Sequence, residues 1–307
     1  MTSRYTPDMP KLVWLNGEIS PLETAKVSAA DHAFLYGDGL FEGIRIYNRA
    51  VFKLDEHLSR LYDGIRYLGF QMPYAQATLK SHILDTCRQA DIDAGYIRLN
   101  VTRGTGLGLD PAHIDRRASV MIMINELRIF PAQAYEVGLT AITSSYRVIP
   151  ADSLDPRIKT IGRYAANILA KEQGNRAGVG EAIMLNHQGT VAEGTGDNLF
   201  HIKGGRIITP HPSCGILQGI TRNTVMELAR KAGLSVEEGF LTPYDLQAAD
   251  EIFLTGTAAE VIPMVELDGQ KIGDGKPGPI TNQMIQLFRE ETKNGTRFDV
   301  PAQAVTG

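Results

Sequence analysis

The sequence predicts a mixed α/β protein with two domains. Strand patterns and helix patterns alternate along the chain, without an internal repeat or a low-complexity tract. The 307 residues suffice for about two domains of ~150 residues each. With 43% hydrophobic and 21% charged residues, the chain has the composition of a globular protein that buries a sizeable core.

Residues 1–125 predict a small α/β domain. Asn16-Gly17 forms the turn of a first hairpin, and Asn48-Arg49 forms the turn of a second one over residues 44–54. Residues 55–70 place leucine and isoleucine on one helical face, which predicts an amphipathic helix. Another helix, TLKSHILDTCRQA, and two β-rich runs, YIRLNVTRG and SVMIMINEL, complete this domain.

Residues 126–137 predict an interdomain linker, because ELRIFPAQAYEV has weak periodicity and contains a proline.

A larger domain follows over residues 138–307. It begins with the strand LTAITSSYRV and a helix that ends near Gly174. The later predicted elements are strands at 181–186, 190–193 and 198–209, the last broken at Gly204-Gly205, the helix ITRNTVMELARKAGL with Val225, Leu228, Ala229 and Ala232 inward, the strand and glycine turn EIFLTGTAAEVIP, a hairpin at Asp268-Gly269, and the helix ITNQMIQLFREETKNG.

Charge and hydropathy exclude several classes of partner. The net charge is −4 and no basic block stands out, so we expect no nucleic-acid binding. Apolar runs such as SVMIMI are far shorter than the ~20 residues of a membrane span, and MTSRYTPDMPK lacks the apolar core of a signal peptide. Cys87 and Cys214 form no metal-ligand pattern with histidines. We expect a cytoplasmic protein without a metal site and with reduced cysteines, and one disulfide between them is the alternative.

Several turns of the sequence are candidates for ligand binding. VAEGTGDNLF places Glu193 in a turn whose backbone needs only glycine, asparagine or aspartate, so the acid is either solvated or functional. Residues 219–221 directly precede a helix, and a strand ends at the small residues 255–259. Both features favour an anion site, although an N-cap at Thr221 and a plain turn are the structural alternatives. GTGLG at 104–108 resembles a dinucleotide loop but lacks a following helix pattern.

Four further side chains are candidates for chemistry. Lys159, in DPRIKTIGRYAAN, is a potential nucleophile, although most lysines are simply solvated. Tyr164 follows five residues later, and core packing is its ordinary role. Arg60 falls off the apolar face of its helix, where a solvated charge is ordinary. Arg98 lies within the apolar strand YIRLNV, and a cation there points to water or to an anion.

Eight separated motifs follow one another along the chain: LNGE, FLYGDGLFEGIR, EHLSRL, YIR, IKTIGRYAANILA, EGTGDNLF, GITRNTV and TGTAAEV. In their order and spacing they resemble the class IV pyridoxal-phosphate aminotransferases, and most nearly the branched-chain amino acid aminotransferases. The resemblance covers roughly residues 12–290. The resemblance implies a D-amino acid aminotransferase-like fold with a small α/β N-terminal domain and a larger pseudo-barrel C-terminal domain that binds pyridoxal 5'-phosphate. It also implies a homodimer that performs ping-pong transamination between branched-chain L-amino acids and 2-oxoglutarate.

The resemblance further implies roles for residues at the matching motif positions. Lys159 would form the Schiff base, Tyr164 would hydrogen-bond the phenolate oxygen, and Glu193 would pair with the pyridine nitrogen, which stays protonated only beside an anion. The dianionic phosphate calls for N–H donors and a guanidinium. The other implied cofactor residues are Arg60, Gly219, Ile220, Thr221 and Thr257 at the phosphate, and Leu217 on the ring.

The implied substrate pocket has an apolar part and a cationic part. Within the subunit it comprises Phe41, Tyr96, Arg98, Thr257 and Ala258, with Tyr164 as further apolar surface. Tyr36 and the turn at Leu107 and Leu109 would reach into the neighbouring subunit's site. We hypothesise that Arg98 binds the second carboxylate of glutamate, because it is the cation at an unusual position.

The substrate class has alternatives within the same fold. Leu99-Asn100 follow YIR where many branched-chain enzymes have proline, and neither Phe130 nor Tyr135 matches a tyrosine often found in the linker. VTRG also occurs in relatives that use D-amino acids or (R)-amines. A D-amino acid or (R)-amine transaminase is therefore the first alternative, followed by an aminodeoxychorismate lyase. A non-catalytic cofactor-binding protein would lack Lys159, Glu193 or the phosphate turns, and all of these are present.

Overall fold

The computed structural model describes residues 12–125 and 130–299. The stretch MTSRYTPDMPK and the first four residues of the predicted linker lie outside these described residues. The described chain forms two compact units. The N-terminal unit contains residues 12–125, 159–162 and 292–299, and the C-terminal unit contains residues 130–158 and 163–291.

The first stretch of the chain, residues 12–125, begins with the two predicted hairpins. Their turn residues Asn16, Gly17, Asn48 and Arg49 have φ angles of 53°, 105°, 48° and 61°, and two consecutive positive φ angles are typical of a type I′ turn. Both hairpin predictions are confirmed. The elements are β1 (Leu12–Leu15), β2 (Glu18–Ser20), α1 (His32–Tyr36), β3 (Gly39–Tyr47), β4 (Ala50–Phe52), α2 (Leu54–Leu68), α3 (Gln76–Ala90), β5 (Gly95–Thr102) and β6 (Val120–Asn125).

The second stretch, residues 130–299, contains the remaining elements. In chain order they are α4 (Ala134–Val137), β7 (Leu139–Arg147), α5 (Ala165–Ala177), β8 (Glu181–Leu185), β9 (Val191–Glu193), β10 (Asn198–Lys203), β11 (Arg206–Pro210), α6 (Ile220–Lys231), β12 (Val236–Gly239), α7 (Pro243–Gln247), β13 (Glu251–Gly256), β14 (Glu260–Leu267), β15 (Gln270–Lys271), α8 (Pro279–Glu291) and β16 (Gly295–Arg297).

The N-terminal unit is built on an antiparallel sheet of seven strands, in the order β16-β4-β3-β5-β6-β1-β2. Side chains alternate between its two faces. Leu40 and Ile44 are buried on the face that α2 covers. Phe41 and Gly43 lie on the opposite face. Residues that pair directly across antiparallel strands share a face, so Arg98, the register partner of Gly43, lies with them.

The C-terminal unit contains a mixed sheet in the order β12-β11-β10-β13-β14-β7-β8-β9, and β15 pairs with β14. Its β11-β12, β14-β7 and β7-β8 pairs are parallel, and the other pairs are antiparallel. Strands β8 and β9 are buried along their whole length. Such strands read as continuous apolar runs because protein covers both faces. The predicted mixed α/β class is confirmed.

Two details of the predicted helices are wrong. Helix α5 continues past Gly174 to Ala177 and ends at Gly178, whose φ of 77° closes the helix. Gly174 is instead an interior residue of the helix, and a Cβ there would make only an ordinary contact, 3.6 Å from the Ala182 side chain, so packing against β8 does not require the glycine. Ala232, predicted to face inward, is exposed because it is the C-cap of α6.

Cys87 and Cys214 are both buried and are not joined by a disulfide. Within residues 12–125 and 130–299, no helix combines the length and apolar character needed to cross a membrane.

Candidate active site

Glu193 ends strand β9 inside the protein, and only 6% of the residue is exposed. Its Oε2 accepts hydrogen bonds from the Leu217 amide at 2.9 Å and from Asn198 Nδ2 at 3.3 Å. Arg163 Nη2 lies 3.4 Å from Oε1, and this arginine is also buried. A buried carboxylate requires such donors. Glu193 is therefore a buried carboxylate fixed by hydrogen bonds, and not a solvated turn residue.

A second buried acid supports the turn that follows Glu193. Glu181 Oε1 accepts from the Thr195 hydroxyl at 2.6 Å, the Thr195 amide at 3.3 Å and the Ala182 amide at 2.7 Å. Asn167 Nδ2 donates to the Thr195 carbonyl at 2.9 Å from α5. These hydrogen bonds attach the 193–198 turn to α5 and β8. Together with the Arg163 contact, they make the position of Glu193 depend on groups up to 30 residues away in the chain.

The start of α6 meets this turn closely. The N-cap residue Gly219 has no side-chain capping bond, so the first N–H groups of this 12-residue helix are not satisfied by a cap side chain. A Cβ on Gly219 would lie 2.1 Å from Asn198 Oδ1. Asn198 Nδ2 also donates to the Leu217 carbonyl at 2.8 Å. Only glycine permits this approach of the helix start to the turn.

The loop between β13 and β14 meets the same turn from another side. A Cβ on Gly256 would lie 2.0 Å from Asp197 Oδ1, and Asn198 is the register partner of Thr255. Thr255 Oγ1 is buried without a hydrogen-bond partner within the described residues. Thr257 and Ala258 follow in the loop and are partly buried. The C-terminal unit therefore brings together the three turns that the sequence marked separately.

Lys159 belongs to the N-terminal unit, where residues 159–162 run beside β3. The Phe41 amide donates to the Lys159 carbonyl at 3.1 Å, and the Ile161 amide donates to the Gly39 carbonyl at 2.8 Å. Lys159 Nζ lies 4.6 Å from the centroid of the Phe41 ring, a cation–π distance. The amine is thus held at the aromatic surface of β3, and Lys159 is only partly buried.

Three predicted substrate residues share that surface. The Arg98 guanidinium carbon lies 3.6 Å from the Phe41 ring centroid, and Arg98 Nε donates to Asn100 Oδ1 at 2.9 Å. The Tyr96 side chain extends from β5 over Gly43 of β3, and a Cβ on Gly43 would lie 1.9 Å from the Tyr96 hydroxyl. The structure therefore groups Phe41, Tyr96, Arg98 and Lys159, whereas Tyr164 lies in the C-terminal unit at the start of α5.

Arg60 lies on the other face of the same sheet. It makes a two-point contact with Glu42, a buried acid that the sequence analysis missed. Arg163 and Asn198 were missed as well. The signal for each of the three was its presence inside a motif that carried other site residues. Glu42 lies in FEGIR, Arg163 in IKTIGRY and Asn198 in EGTGDN.

Tyr36, Leu107 and Leu109 are exposed side chains of the N-terminal unit. The Gly108 amide donates to the Tyr36 hydroxyl at 3.0 Å, and His32 Nε2 lies 3.0 Å from the Gly108 carbonyl. These bonds attach the GTGLG turn to α1. A three-residue 3-10 turn, Pro111–His113, follows the glycines in place of the helix that a dinucleotide loop requires.

The comparison with protein families decides the class. Residues 39–267 match the family described as amino-transferase class IV. The chain belongs to the class IV aminotransferases. It is 44% identical over 287 residues to a putative branched-chain-amino-acid aminotransferase of Methanocaldococcus jannaschii, a match that covers 93% of this chain and 98% of that protein.

Solved structures of class IV aminotransferases have the same fold. The T.th. branched-chain amino acid aminotransferase with pyridoxamine 5'-phosphate superposes with a TM-score of 0.88 at 35% identity, covering 92% of this chain and 94% of that one. The same enzyme complexed with N-(5'-phosphopyridoxyl)-L-glutamate has a TM-score of 0.87 at 35% identity, covering 92% and 95%. The predicted family, two-domain fold, aminotransferase class and pyridoxal phosphate cofactor are confirmed.

The residues of the C-terminal unit fit this cofactor. A pyridinium nitrogen needs an anion, and Glu193 is a buried carboxylate held by three donors. A phosphate needs N–H groups, and the uncapped start of α6 lies against the same turn as the glycine loop that follows β13. The donor set therefore matches both ends of the cofactor.

Proposed function

We propose that this chain transfers the amino group between branched-chain L-amino acids and 2-oxoglutarate in a ping-pong reaction. The observation that carries the proposal is the convergence of the 193–198 turn, the start of α6 and the loop after β13 around the buried Glu193. The family and the related branched-chain enzymes support it. The glutamate adduct of a solved relative supports glutamate as a partner substrate.

Lys159 is proposed as the residue that bonds to the cofactor and then moves a proton. The cofactor, when bound, supplies an electron sink for the substrate α-carbon. Lys159 Nζ, held beside the Phe41 ring, would accept the proton from the α-carbon and, within the same half-reaction, deliver it to the cofactor carbon that bonds the substrate nitrogen. The backbone hydrogen bond between Phe41 and Lys159 fixes the backbone at the base of this side chain. Fewer side-chain conformations then have to be sampled before Nζ reaches a reactive geometry.

The other cofactor roles are assigned by motif. Glu193 would keep the pyridine nitrogen charged, and Leu217, whose amide holds that carboxylate, would cover the ring. The phosphate would be bound by residues 219–221, by Thr257 and by Arg60. Tyr164 would donate to the phenolate oxygen.

Arg98 is proposed to select the second substrate. It stacks on Phe41, so one aromatic surface would contact an aliphatic side chain while the adjacent guanidinium binds a carboxylate. We expect Arg98→Ala to lower kcat/KM for glutamate by about tenfold to a hundredfold, the range for one charge-assisted bond, and to change the value for leucine less than about threefold. Half-reaction kinetics with each amino acid measure both values.

A surface arginine provides the control for this prediction. Arg66→Ala removes an exposed cation of α2, and neither substrate should be affected. Equal loss of glutamate and leucine turnover in Arg98→Ala would assign Arg98 to the general shape of the pocket and reject its role in selection.

A panel of amino donors with 2-oxoglutarate tests the substrate class. We expect turnover of L-leucine and L-valine, and at least about a hundredfold lower kcat/KM for D-alanine and (R)-1-phenylethylamine, because a site that holds the carboxylate and side chain of an L-amino acid leaves polar groups unpaired with the others. Turnover confined to the last two donors would show that the protein is a D-amino acid or (R)-amine transaminase.

A homodimer in the cytoplasm completes the proposal. Tyr36, Leu107 and Leu109 present apolar surface to solvent, and the last two are 76% and 79% exposed. The Gly108–Tyr36 hydrogen bond holds these side chains near one another, and a contiguous exposed apolar patch is typical of an interface. Light scattering on the purified chain should give twice the monomer mass, and a monomer with full activity would exclude a site shared between subunits.

A further inference from the structure

Glu42 is a buried acid that no role assigned so far uses. It lies in β3 between Phe41 and Gly43, on the face that α2 covers, and 1% of the residue is exposed. A glutamate is rarely buried without a partner, because the loss of hydration of a carboxylate is unfavourable unless hydrogen bonds replace it. The partners of Glu42 therefore define its purpose.

Both partners come from α2. Arg60 Nε donates to Glu42 Oε1 at 2.8 Å, and Arg60 Nη2 donates to Oε2 at 2.7 Å. His57, three residues earlier on the helix and on the same face, places Nδ1 2.7 Å from Oε2. Two parallel N–H···O bonds fix the plane and the direction of a guanidinium, not only its distance.

The charges of this group are settled by its surroundings. Burial by itself raises the pKa of Glu42, but the charge and hydrogen bonds of Arg60, with a contribution from His57, lower it to about 2. Burial lowers the pKa of His57 against the effect of the Glu42 hydrogen bond, and the charges of Arg60 and Lys159 lower it further. At neutral pH, one carboxylate therefore faces one guanidinium and a neutral imidazole that donates Nδ1–H.

Stability alone does not account for this arrangement. A buried ion pair often contributes no more than apolar side chains of the same volume would. The Arg60 side chain is 15% exposed and that of Glu42 is 1% exposed, so the acid lies deeper than the cation. The residue next to Glu42, Phe41, donates its amide to the Lys159 carbonyl at 3.1 Å, so the group lies beside the segment that carries the proposed reactive amine.

We propose that Glu42 is a positioning residue that aims the Arg60 guanidinium at the phosphate of the cofactor, an inference that rests on the phosphate role proposed for Arg60. Glu42 occupies the Nε–Nη2 edge and thereby sets the direction of the whole planar group. His57 holds the second carboxylate oxygen and keeps the acid from rotating. The backbone of Phe41, next to Glu42, is bonded to Lys159, so the same strand orders the amine and the phosphate-binding cation.

The test compares two ligands that differ only in the phosphate. We expect Glu42→Gln to weaken pyridoxal 5'-phosphate binding to the cofactor-free protein at least about tenfold, because the amide cannot accept both guanidinium bonds. Binding of pyridoxal, which lacks the phosphate, should change less than about twofold. Absorbance titrations measure both dissociation constants. Unchanged affinity for pyridoxal 5'-phosphate, or equal loss for both ligands, would overturn the proposal.

Two further variants separate positioning from folding. Arg60→Lys keeps the cation and the ion pair but cannot form the fork, and the same phosphate-specific loss is expected even if Glu42→Gln does not fold. In an Arg60→Ala background, Glu42→Gln should have no further effect on pyridoxal 5'-phosphate affinity. Additive effects of the two changes would mean that Glu42 acts independently of Arg60 and would reject the proposal.

A third variant controls for the loss of any buried acid. Glu251→Gln removes a buried carboxylate that binds the Thr281 amide at 2.7 Å in α8, and it should leave the affinity for both ligands unchanged. The wild-type chain tests the proposed function separately. If it binds both ligands equally, or neither of them, the phosphate site itself is wrong and the positioning role falls with it. If wild type prefers pyridoxal 5'-phosphate, only the variants decide on Glu42.

Discussion

Lys159→Ala is expected to abolish transamination while the protein remains folded. The methyl group cannot bond to the cofactor or carry a proton, and proton transfer by a positioned group alone contributes about 10²–10⁴-fold to a rate. We therefore expect kcat to fall by about 10⁴-fold or more, since the covalent link is lost as well. Turnover with L-leucine and borohydride-dependent incorporation of the cofactor into the protein measure the two losses separately.

The fold should tolerate this change. The contacts that hold residues 159–162 beside β3 are backbone bonds to Gly39 and Phe41, which alanine keeps. The melting temperature should therefore stay within about 3 °C of wild type, the shift that less than about 1 kcal/mol produces in a protein of this size. Lys203→Ala, which removes an exposed amine paired with Asp250 at 2.7 Å, is the matched control and should retain full activity. Borohydride incorporation that survives in Lys159→Ala would place the reactive amine elsewhere.

Local sequence signals predicted the elements that carry their own turn chemistry. The asparagine residues at 16 and 48 adopt the left-handed backbone that their hairpins require. Gly219 is the N-cap of α6, as the change from a glycine turn to an amphipathic pattern indicated. These features depend on a few adjacent residues, so a single sequence is enough to identify them.

A glycine near the end of a helix is an ambiguous signal for the residue at which the helix ends. Gly174 and Gly178 both lie near the end of α5, and the pattern placed the helix end at the first of them. The structure uses Gly178 for the left-handed cap, whereas Gly174 lies inside the helix, where a Cβ would meet only ordinary contacts. Which of two nearby glycines adopts a positive φ depends on the path of the chain after the helix, so the sequence could not separate the two.

The relations within the site are long-range and could not be read from spacing. Alternation along β3 separates Glu42 from Phe41, but nothing in the sequence shows that α2 covers the Glu42 face. Arg98 and Lys159 lie 61 residues apart in the chain, and both reach the ring of Phe41. The motifs of a known family identified the residues, whereas only the fold shows which of them touch.

Glu193→Gln is expected to keep the bound cofactor and to slow proton abstraction. The amide oxygen of glutamine can replace Oε2 as the acceptor for the Leu217 amide and Asn198, so the turn should persist. The amide nitrogen then faces Arg163 and carries no negative charge for the pyridine nitrogen. Removal of one electrostatic group in an active site typically lowers kcat by about 10²–10³-fold, and we expect a loss of this size. Single-turnover kinetics with L-leucine measure the step directly.

The control for this prediction is again Glu251→Gln, which removes a buried carboxylate of the same unit that accepts hydrogen bonds from helix amides. Both variants should lose some stability, because each leaves a buried donor facing an amide nitrogen, but only Glu193→Gln should lose rate. This contrast tests whether Glu193 acts on the cofactor or only supports the fold. Both acids accept backbone hydrogen bonds, but only Glu193 is proposed to face the pyridine nitrogen. Unchanged turnover in Glu193→Gln would leave Glu193 with no role other than holding the Leu217 amide and Asn198 in place.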